Sequence, residues 1–151
     1  MKAFTKIAML LLSLSTCISC DKVFNTGKSL VGKWEFTHFE WTTTTGEIIK
    51  EELEGDTIIW TFTDKMVTIQ EKSSYGEESE TYSYTYEDEV LLINTFFKTM
   101  ISDGNYFNVE KLNKTELVLC EPDGVSPDYL IEVNGQDIYA VKVAVVFKRV
   151  N

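Results

Sequence analysis

The sequence has few of the residues that carry catalysis or metal binding. It contains one histidine, His38, and three cysteines among 151 residues. A zinc site needs several histidine or cysteine ligands at short spacing, and an α/β-hydrolase needs a G-x-S-x-G turn. The sequence has neither pattern, and it has no glycine-rich phosphate loop or EF-hand loop. We therefore expect a protein that is not an enzyme and that has no cofactor and no metal.

Long hydrophobic runs are also missing, and the strongest one is short and N-terminal. Lys2 and Lys6 lead into the apolar run at 7–14, and Ser19-Cys20 follows. This arrangement is typical of a secretory signal, and the run is too short to span a bilayer, which needs about 20 apolar residues. We predict a signal peptide over 1–19, with ordinary cleavage and an unmodified thiol as the alternative outcome.

Ser19-Cys20 resembles the lipobox of bacterial lipoproteins, in which the cysteine becomes the acylated first residue. Cys20 is favoured over Cys17 because the polar residues Asp21-Lys22 follow it, whereas an apolar residue follows Cys17. The resemblance implies a membrane anchor at Cys20 and a place in the cell envelope. The segment after Cys20 lacks a run of acids of the kind that surface-exposed relatives carry, so we expect an outer-membrane lipoprotein that faces the periplasm.

Basic residues are scarce in the remaining chain. The whole sequence has 14 basic and 24 acidic residues, and loss of Lys2 and Lys6 with the signal leaves 12 basic residues. A nucleic-acid partner is not expected, because phosphate binding needs a basic surface. The acids are interpreted as a solvated face. The alternative is an acidic patch that meets a cationic protein or ligand.

Disulfides are excluded by the same processing. With the signal removed and Cys20 acylated, only Cys120 remains as a free thiol, so the mature chain can form no internal bridge. Its length suits one domain. We predict a lipidated tether at 20–29 and a single, monomeric domain at 30–151.

The pattern of the mature chain is strand after strand. Tyr82, Tyr84 and Tyr86 alternate with polar residues, as do the apolar residues at 58–62, and Asp103-Gly104 is one of several hairpin-type turns. The sequence predicts an all-β fold, a single up-and-down antiparallel barrel of about eight strands, rather than a sandwich. Segment 129–133 is a strand or part of a long loop, 73–79 is a loop, and helix is possible only at 47–53 and 94–102.

Gly32-Lys33-Trp34 resembles the G-x-W motif of the lipocalins, and Phe147-Lys148-Arg149-Val150 resembles the last strand of lipocalin-like bacterial lipoproteins of the Bacteroidetes type. The resemblance implies a calycin-like barrel whose closed end is formed by Trp34 beneath Arg149. A guanidinium over an indole contributes roughly 0.5–2 kcal/mol. Another small β fold with a chance G-x-W is the alternative.

An eight-stranded barrel is either filled by side chains or holds one small ligand. We predict that a small apolar molecule binds in the barrel. The alternative is a filled barrel that acts as an interaction or inhibitor module and binds a cationic protein through acidic loops. His38 is placed in the core or pocket because it shares the parity of Trp34 and Phe36. The candidate ligand-binding residues are Phe36, His38, Trp60, Phe62, Tyr82, Tyr84, Tyr86 and Phe107.

Overall fold

The computed structural model describes residues 30–94, 106–122 and 129–150. Within these ranges no helix is long and apolar enough to cross a membrane. The described chain folds into ten β-strands: β1 (Gly32–Thr43), β2 (Ile48–Glu51), β3 (Thr57–Phe62), β4 (Met66–Ser73), β5 (Gly76–Glu87), β6 (Val90–Ile93), β7 (Tyr106–Leu112), β8 (Glu116–Cys120), β9 (Tyr129–Val133) and β10 (Gln136–Val150).

Eight of these strands close into a barrel. β1 pairs with β3, each strand from β3 to β7 pairs with the strand that follows it, β8 pairs with β10, and β10 pairs with β1. All the pairings are antiparallel. The predicted up-and-down barrel is therefore confirmed. Closure leaves none of these eight strands as an edge along its full length.

The remaining strands, β2 and β9, extend one end of the barrel. The first part of β1, up to Glu35, pairs with β3, and the later part, from Phe39, pairs with β2. β10 likewise pairs with β9 over 136–140 and with β8 over 144–148. We call β2, β9 and the parts of β1 and β10 that pair with them the flap.

A β-bulge in β1 lies where the strand changes neighbours. Phe36 is opposite Phe147 and His38 is opposite Val146, so Thr37 is the extra residue. A bulge bends its strand and increases the local twist. This bend lets β1 leave β3 and turn into the flap. The Thr37 hydroxyl donates a hydrogen bond to the Val146 carbonyl oxygen at 2.9 Å, which holds the bulge against β10.

Strand pairing in the structure decides three further predictions about secondary structure. Segment 129–133 is the strand β9, and 48–51, within a possible helix at 47–53, is the strand β2. The predicted loop at 73–79 is wrong, because Ser73 pairs with Gly76 in a tight hairpin and 77–80 continues β5. The acidic side chains of 77–80 concealed a strand that is exposed to solvent. The possible helix at 94–102 lies outside the described residues, apart from Asn94.

A second small cluster lies on the outside of the wall. Val118, Cys120, Ala144 and Val146 are buried together on β8 and β10, on the opposite face from the inward-pointing Leu117 and Phe147. Longer side chains surround these small residues and form ion pairs with one another. The pairs are Lys111–Glu116, Lys142–Glu110, Lys148–Glu35 and Lys50–Glu40.

Candidate binding site

The closed end of the barrel is built around Trp34. This side chain is fully buried, and its indole N–H donates to the Leu30 carbonyl oxygen at 2.8 Å. The Cζ atom of Arg149 lies 4.7 Å from the Trp34 ring centroid, and Nη2 of Arg149 donates to the Val31 carbonyl oxygen at 2.7 Å. The contact that the lipocalin resemblance implies is thus present in the structure.

Gly32 allows the guanidinium of Arg149 to approach the backbone at this end. Its φ of +140° is one that side-chain-bearing residues rarely adopt, and a Cβ atom there would lie 3.0 Å from Nη2 of Arg149. The glycine of the G-x-W motif therefore has a physical role here. It leaves room for the cation that covers Trp34.

Aromatic rings fill the interior above Trp34. The Trp60 ring centroid lies 5.0 Å from that of Phe147 and 6.1 Å from those of Phe62 and Phe107. Phe62 and Phe107 are at most 1% exposed, and Trp60 is 7% exposed. A void large enough for water would expose these rings from within. The side chains predicted to line a pocket in this part of the barrel instead pack against one another.

The three tyrosines of β5 face the same interior at different depths. Tyr84 packs edge-on against Phe62 with ring centroids 5.1 Å apart, and its hydroxyl donates to the Thr63 carbonyl oxygen at 2.7 Å. Burial, followed by the charge of Asp64, raises the pKa of Tyr84, so its hydroxyl stays protonated. Tyr86 is also buried, whereas Tyr82 is half-buried and donates to the Glu80 carboxylate.

The predicted placement of His38 is wrong. The bulge at Thr37 shifts the alternation by one residue, so His38 lies opposite the outward-facing Val146 instead of sharing the face of Phe36. Its Nε2 atom lies 3.2 Å from the Glu40 carboxylate, and Glu40 also pairs with Lys50 at 3.1 Å. His38 therefore belongs to the charged outer surface. In the sequence, this irregularity shows only as a change of the apolar positions from even to odd numbers between Phe36 and Phe39.

Cys120, the free thiol, does not have the environment of a nucleophile. It is 1% exposed on the outer wall. Burial, together with a hydrogen bond to Glu110, raises the pKa of Cys120 to about 12, so the thiol stays protonated at neutral pH. The thiolate is the reactive form of cysteine. In the described part of the chain there is also no group of three histidine, cysteine or acidic side chains that could hold a metal ion.

One open space among the described residues lies at the flap and is lined by both of its outer strands. It has a volume of about 530 Å³, and we call it the edge slot. Trp41 lies at its base, with one wall from β2 and the other from β9 and the turn that follows. The lining residues are Trp41, Ile49, Lys50, Glu51, Leu130, Ile131, Glu132, Val133 and Asn134.

Trp41 is held in the slot by neighbours on both sides. Its indole N–H donates to Oε2 of Glu51 at 2.7 Å, its ring packs edge-on against Tyr129 at 5.3 Å, and the Phe39 ring lies 5.9 Å away. Tyr129 donates in turn to the buried Glu121 carboxylate. Rings in contact run from Trp41 through Phe39, Phe36 and Phe147 to Trp60. The slot is therefore continuous with the packed aromatic core.

Sequence reasoning missed the edge slot. The sequence-based expectations include no site at Trp41, and they allow a helix at 47–53, where the structure has β2. The slot depends on two short strands, β2 and β9, that are far apart in sequence and line the same space only because β1 and β10 pair. The alternation of Phe39 and Trp41 was a usable signal, but it is visible only when the count restarts after Thr37.

Comparison with known proteins gives the fold its name. No protein-family profile and no curated protein sequence matches the chain. Among solved structures, a lipocalin-like protein from Bacteroides uniformis matches with a TM-score of 0.50 and 14% identity, over 81% of this chain and 99% of that one. The chain has a lipocalin-like fold. This lipocalin-like barrel also matches a siderocalin, Ex-FABP, described as having dual ligand specificities, with a TM-score of 0.40 and 12% identity, over 81% of this chain and 71% of that one.

The match to the Bacteroides uniformis protein, at 14% identity, speaks to architecture alone. A barrel of eight strands encloses either packed side chains or one small ligand. In the lipocalin-like barrel described above, packed rings occupy the interior around Trp60, and the edge slot lies at the flap, towards the opposite end of β1 from Trp34.

Proposed function

We propose that this protein is a membrane-anchored, non-enzymatic binding protein that holds a small apolar ligand in the edge slot. The fold type supports a binding role. The aromatic packing around Trp60 argues for the slot, and not the lumen, as the place where the ligand lies. Ligand pockets in proteins have volumes of roughly 300–1,000 Å³, and the slot falls within that range.

The observation that carries the proposal is the position of Trp41. Part of its ring is open to the slot, yet its orientation is set by Glu51 and Tyr129. Ile49 and Ile131 add apolar surface on either side. An aromatic ring that is already oriented gives an apolar ligand a contact without the cost of ordering a mobile side chain.

We expect N-phenyl-1-naphthylamine, a neutral apolar fluorophore, to bind the slot saturably with enhanced emission and energy transfer from tryptophan. Trp41→Ala should weaken its binding about tenfold or more, because a large apolar contact is lost. Met66→Gln, which removes an exposed apolar side chain at the Trp34 end, is the matched control and should leave the titration unchanged. Equal binding by the wild type and Trp41→Ala would place the ligand elsewhere, and no saturable binding would contradict the function.

The anchor is proposed to be an acylated Cys20. Leu30, which contacts Trp34, lies at the closed end, so the chain from Cys20 reaches the barrel there. Nine residues, 21–29, span at most about 30 Å when extended. The closed end would then lie near the membrane, and the edge slot would point away from it, into the periplasm.

Cys20→Ala is expected to move the protein from the membrane fraction to the soluble fraction, because stable anchoring depends on acyl chains that each contribute about 0.8 kcal/mol per buried methylene. Cys17→Ala is the matched control and should stay with the membrane. The measurement is fractionation with immunoblotting, together with mass spectrometry of the N-terminal peptide. A membrane-bound Cys20→Ala protein would overturn the assignment of the anchor.

One observation favours the alternative of a protein partner. The interior is packed around Trp60, so a role that needs no cavity remains consistent with the fold. In that role the acidic loops would bind a cationic protein, and association would weaken steeply with ionic strength. Binding of an apolar ligand would depend little on salt.

A further inference from the structure

The edge slot lies between two strand edges. Ile49, Lys50 and Glu51 all line it from β2, and Leu130, Ile131, Glu132 and Val133 all line it from β9. Successive residues of a strand point to opposite faces, so a space above one face would touch only alternate residues. Consecutive residues of a strand line the same space when that space lies beside the edge of the strand. The slot therefore runs along the sides of β2 and β9 where backbone groups point.

The alternation of hydrogen-bonded and non-hydrogen-bonded residue pairs shows which backbone N–H and C=O groups point into the slot. On β2, the N–H of Thr43 donates to the carbonyl oxygen of Glu47 at 2.9 Å, and alternation from this pair directs the N–H and C=O groups of Ile48 and Lys50 away from β1. β2 and β9 are the two ends of the described sheet. The backbone groups of Ile48 and Lys50 thus have no strand partner within the described residues.

The same holds on β9. Asn134 and Gly135 have φ values of +53° and +76°, which indicates a two-residue type I′ hairpin turn flanked by Val133 and Gln136. Counting from that pair, the N–H and C=O groups of Leu130 and Glu132 point away from β10. Two edges of opposite chain direction therefore border one open slot.

The charged side chains around the slot favour an inserted chain that carries positive charge. Glu132 and Asp137 are exposed and lie directly opposite each other on β9 and β10, an arrangement of like charges that destabilises a strand pair. Lys50, the basic residue of the slot, is already paired with Glu40 at 3.1 Å. A cation placed beside Glu132 would relieve this repulsion. A second copy of the chain would instead add carboxylates to it.

We propose that the edge slot also binds an extended peptide segment, with alternating apolar and basic residues, that adds as a strand between β2 and β9. This inference goes beyond the proposed function, because it assigns to the same slot a ligand that is neither small nor wholly apolar. The apolar residues would face Trp41, Ile49 and Ile131, which lie on the inner face of the flap. The basic residues would point to the outer face, beside Glu132 and Asp137.

The test is the fluorescence anisotropy of a labelled seven-residue peptide in which valine and lysine alternate. It should bind saturably, and affinity should fall with rising salt. A block peptide of the same composition, a valine–glutamate alternating peptide and a backbone N-methylated form should each bind at least about tenfold more weakly, since they lose register, charge and several backbone hydrogen bonds, respectively.

Two variants of one position separate backbone pairing from charge. Glu132→Pro removes an outward N–H without touching the β9–β10 ladder and should weaken the alternating peptide about tenfold. Glu132→Gln should weaken it about two- to fivefold and reduce the salt dependence. Glu77→Gln, at an exposed glutamate on β5, is the charge control and should change neither. Circular dichroism checks the fold of each variant.

Each outcome decides the inference. Equal binding of the alternating, block and N-methylated peptides would overturn strand addition, as would a stable dimer of the free protein by sedimentation. Binding of the naphthylamine probe without peptide binding would overturn this inference and leave the proposed function standing. Failure of both ligands would remove both.

Discussion

Trp34→Ala is expected to lower the free energy of unfolding by about 3–5 kcal/mol, the range for truncating a buried aromatic side chain. The side chain is fully buried, its N–H bond to the Leu30 carbonyl oxygen is lost, and Arg149 loses the ring beneath it. Because a domain of this size has only about 5–15 kcal/mol of stability, the variant should be close to unfolding at 37 °C. Urea denaturation followed by circular dichroism measures the change.

The control for this prediction is Lys148, which precedes Arg149 in the sequence. Its ion pair with Glu35, at 3.2 Å, is exposed, so Lys148→Ala should cost no more than about 1 kcal/mol. Arg149→Gln should fall between the two, because the ring stays in place while the cation–π contact is lost. If Trp34→Ala were no more damaging than Lys148→Ala, the closed end would not be a principal source of stability.

Deletion of Glu35 is expected to prevent folding, whereas deletion of Thr37 is expected to be tolerated. Losing Glu35 places Trp34 and Phe36 side by side in sequence, so one of them must leave the interior, since a one-residue slip exchanges the two faces of a strand. Losing Thr37 removes the extra residue of the bulge and leaves Phe36, His38 and Phe39 in regular alternation opposite Phe147, Val146 and Val145.

We expect the Thr37 deletion to cost about 1–2 kcal/mol, mainly through its hydrogen bond to Val146 and the altered bend of β1. The measurements are soluble yield, thermal unfolding and tryptophan emission for both deletions. Similar behaviour of the two deletions, whether both fold or both fail, would contradict the role assigned to the bulge. If the Thr37 deletion folds but binds N-phenyl-1-naphthylamine more weakly than the wild type, the bend in β1 also contributes to the shape of the edge slot.

The sequence predicted the barrel well because most strands have one buried face. The runs at 58–62 and 82–86 alternate clearly, and the matching strands appear where expected. Alternation of apolar and polar residues indicates a strand with one buried face. It does not identify a strand that is exposed on both faces or one that is stabilised only by pairing with another strand. Glu77 and Glu78 belong to a strand with no buried face in that stretch, and the β2 strand is stabilised only by its neighbour β1.

The candidate site was less predictable than the fold for the same reason. Phe62 and Phe107 were correctly assigned to the interior, but the sequence does not tell whether inward rings contact each other or leave a void. That depends on side-chain packing across the barrel, as between Trp60 and Phe147. The predicted face of His38 was wrong because of a single extra residue, Thr37. The slot depends on the relative positions of β2 and β9, which are far apart in sequence.

The concentration of both free strand edges at the end of the flap has a consequence for handling and storage of the protein. Mutual repulsion between carboxylates such as Glu132 and Asp137 keeps the edges of separate molecules apart at neutral pH. High ionic strength screens these charges and removes that protection while the buried aromatic interior stays intact. Association in concentrated salt should therefore join folded molecules rim to rim, and dilution of the salt should disperse them.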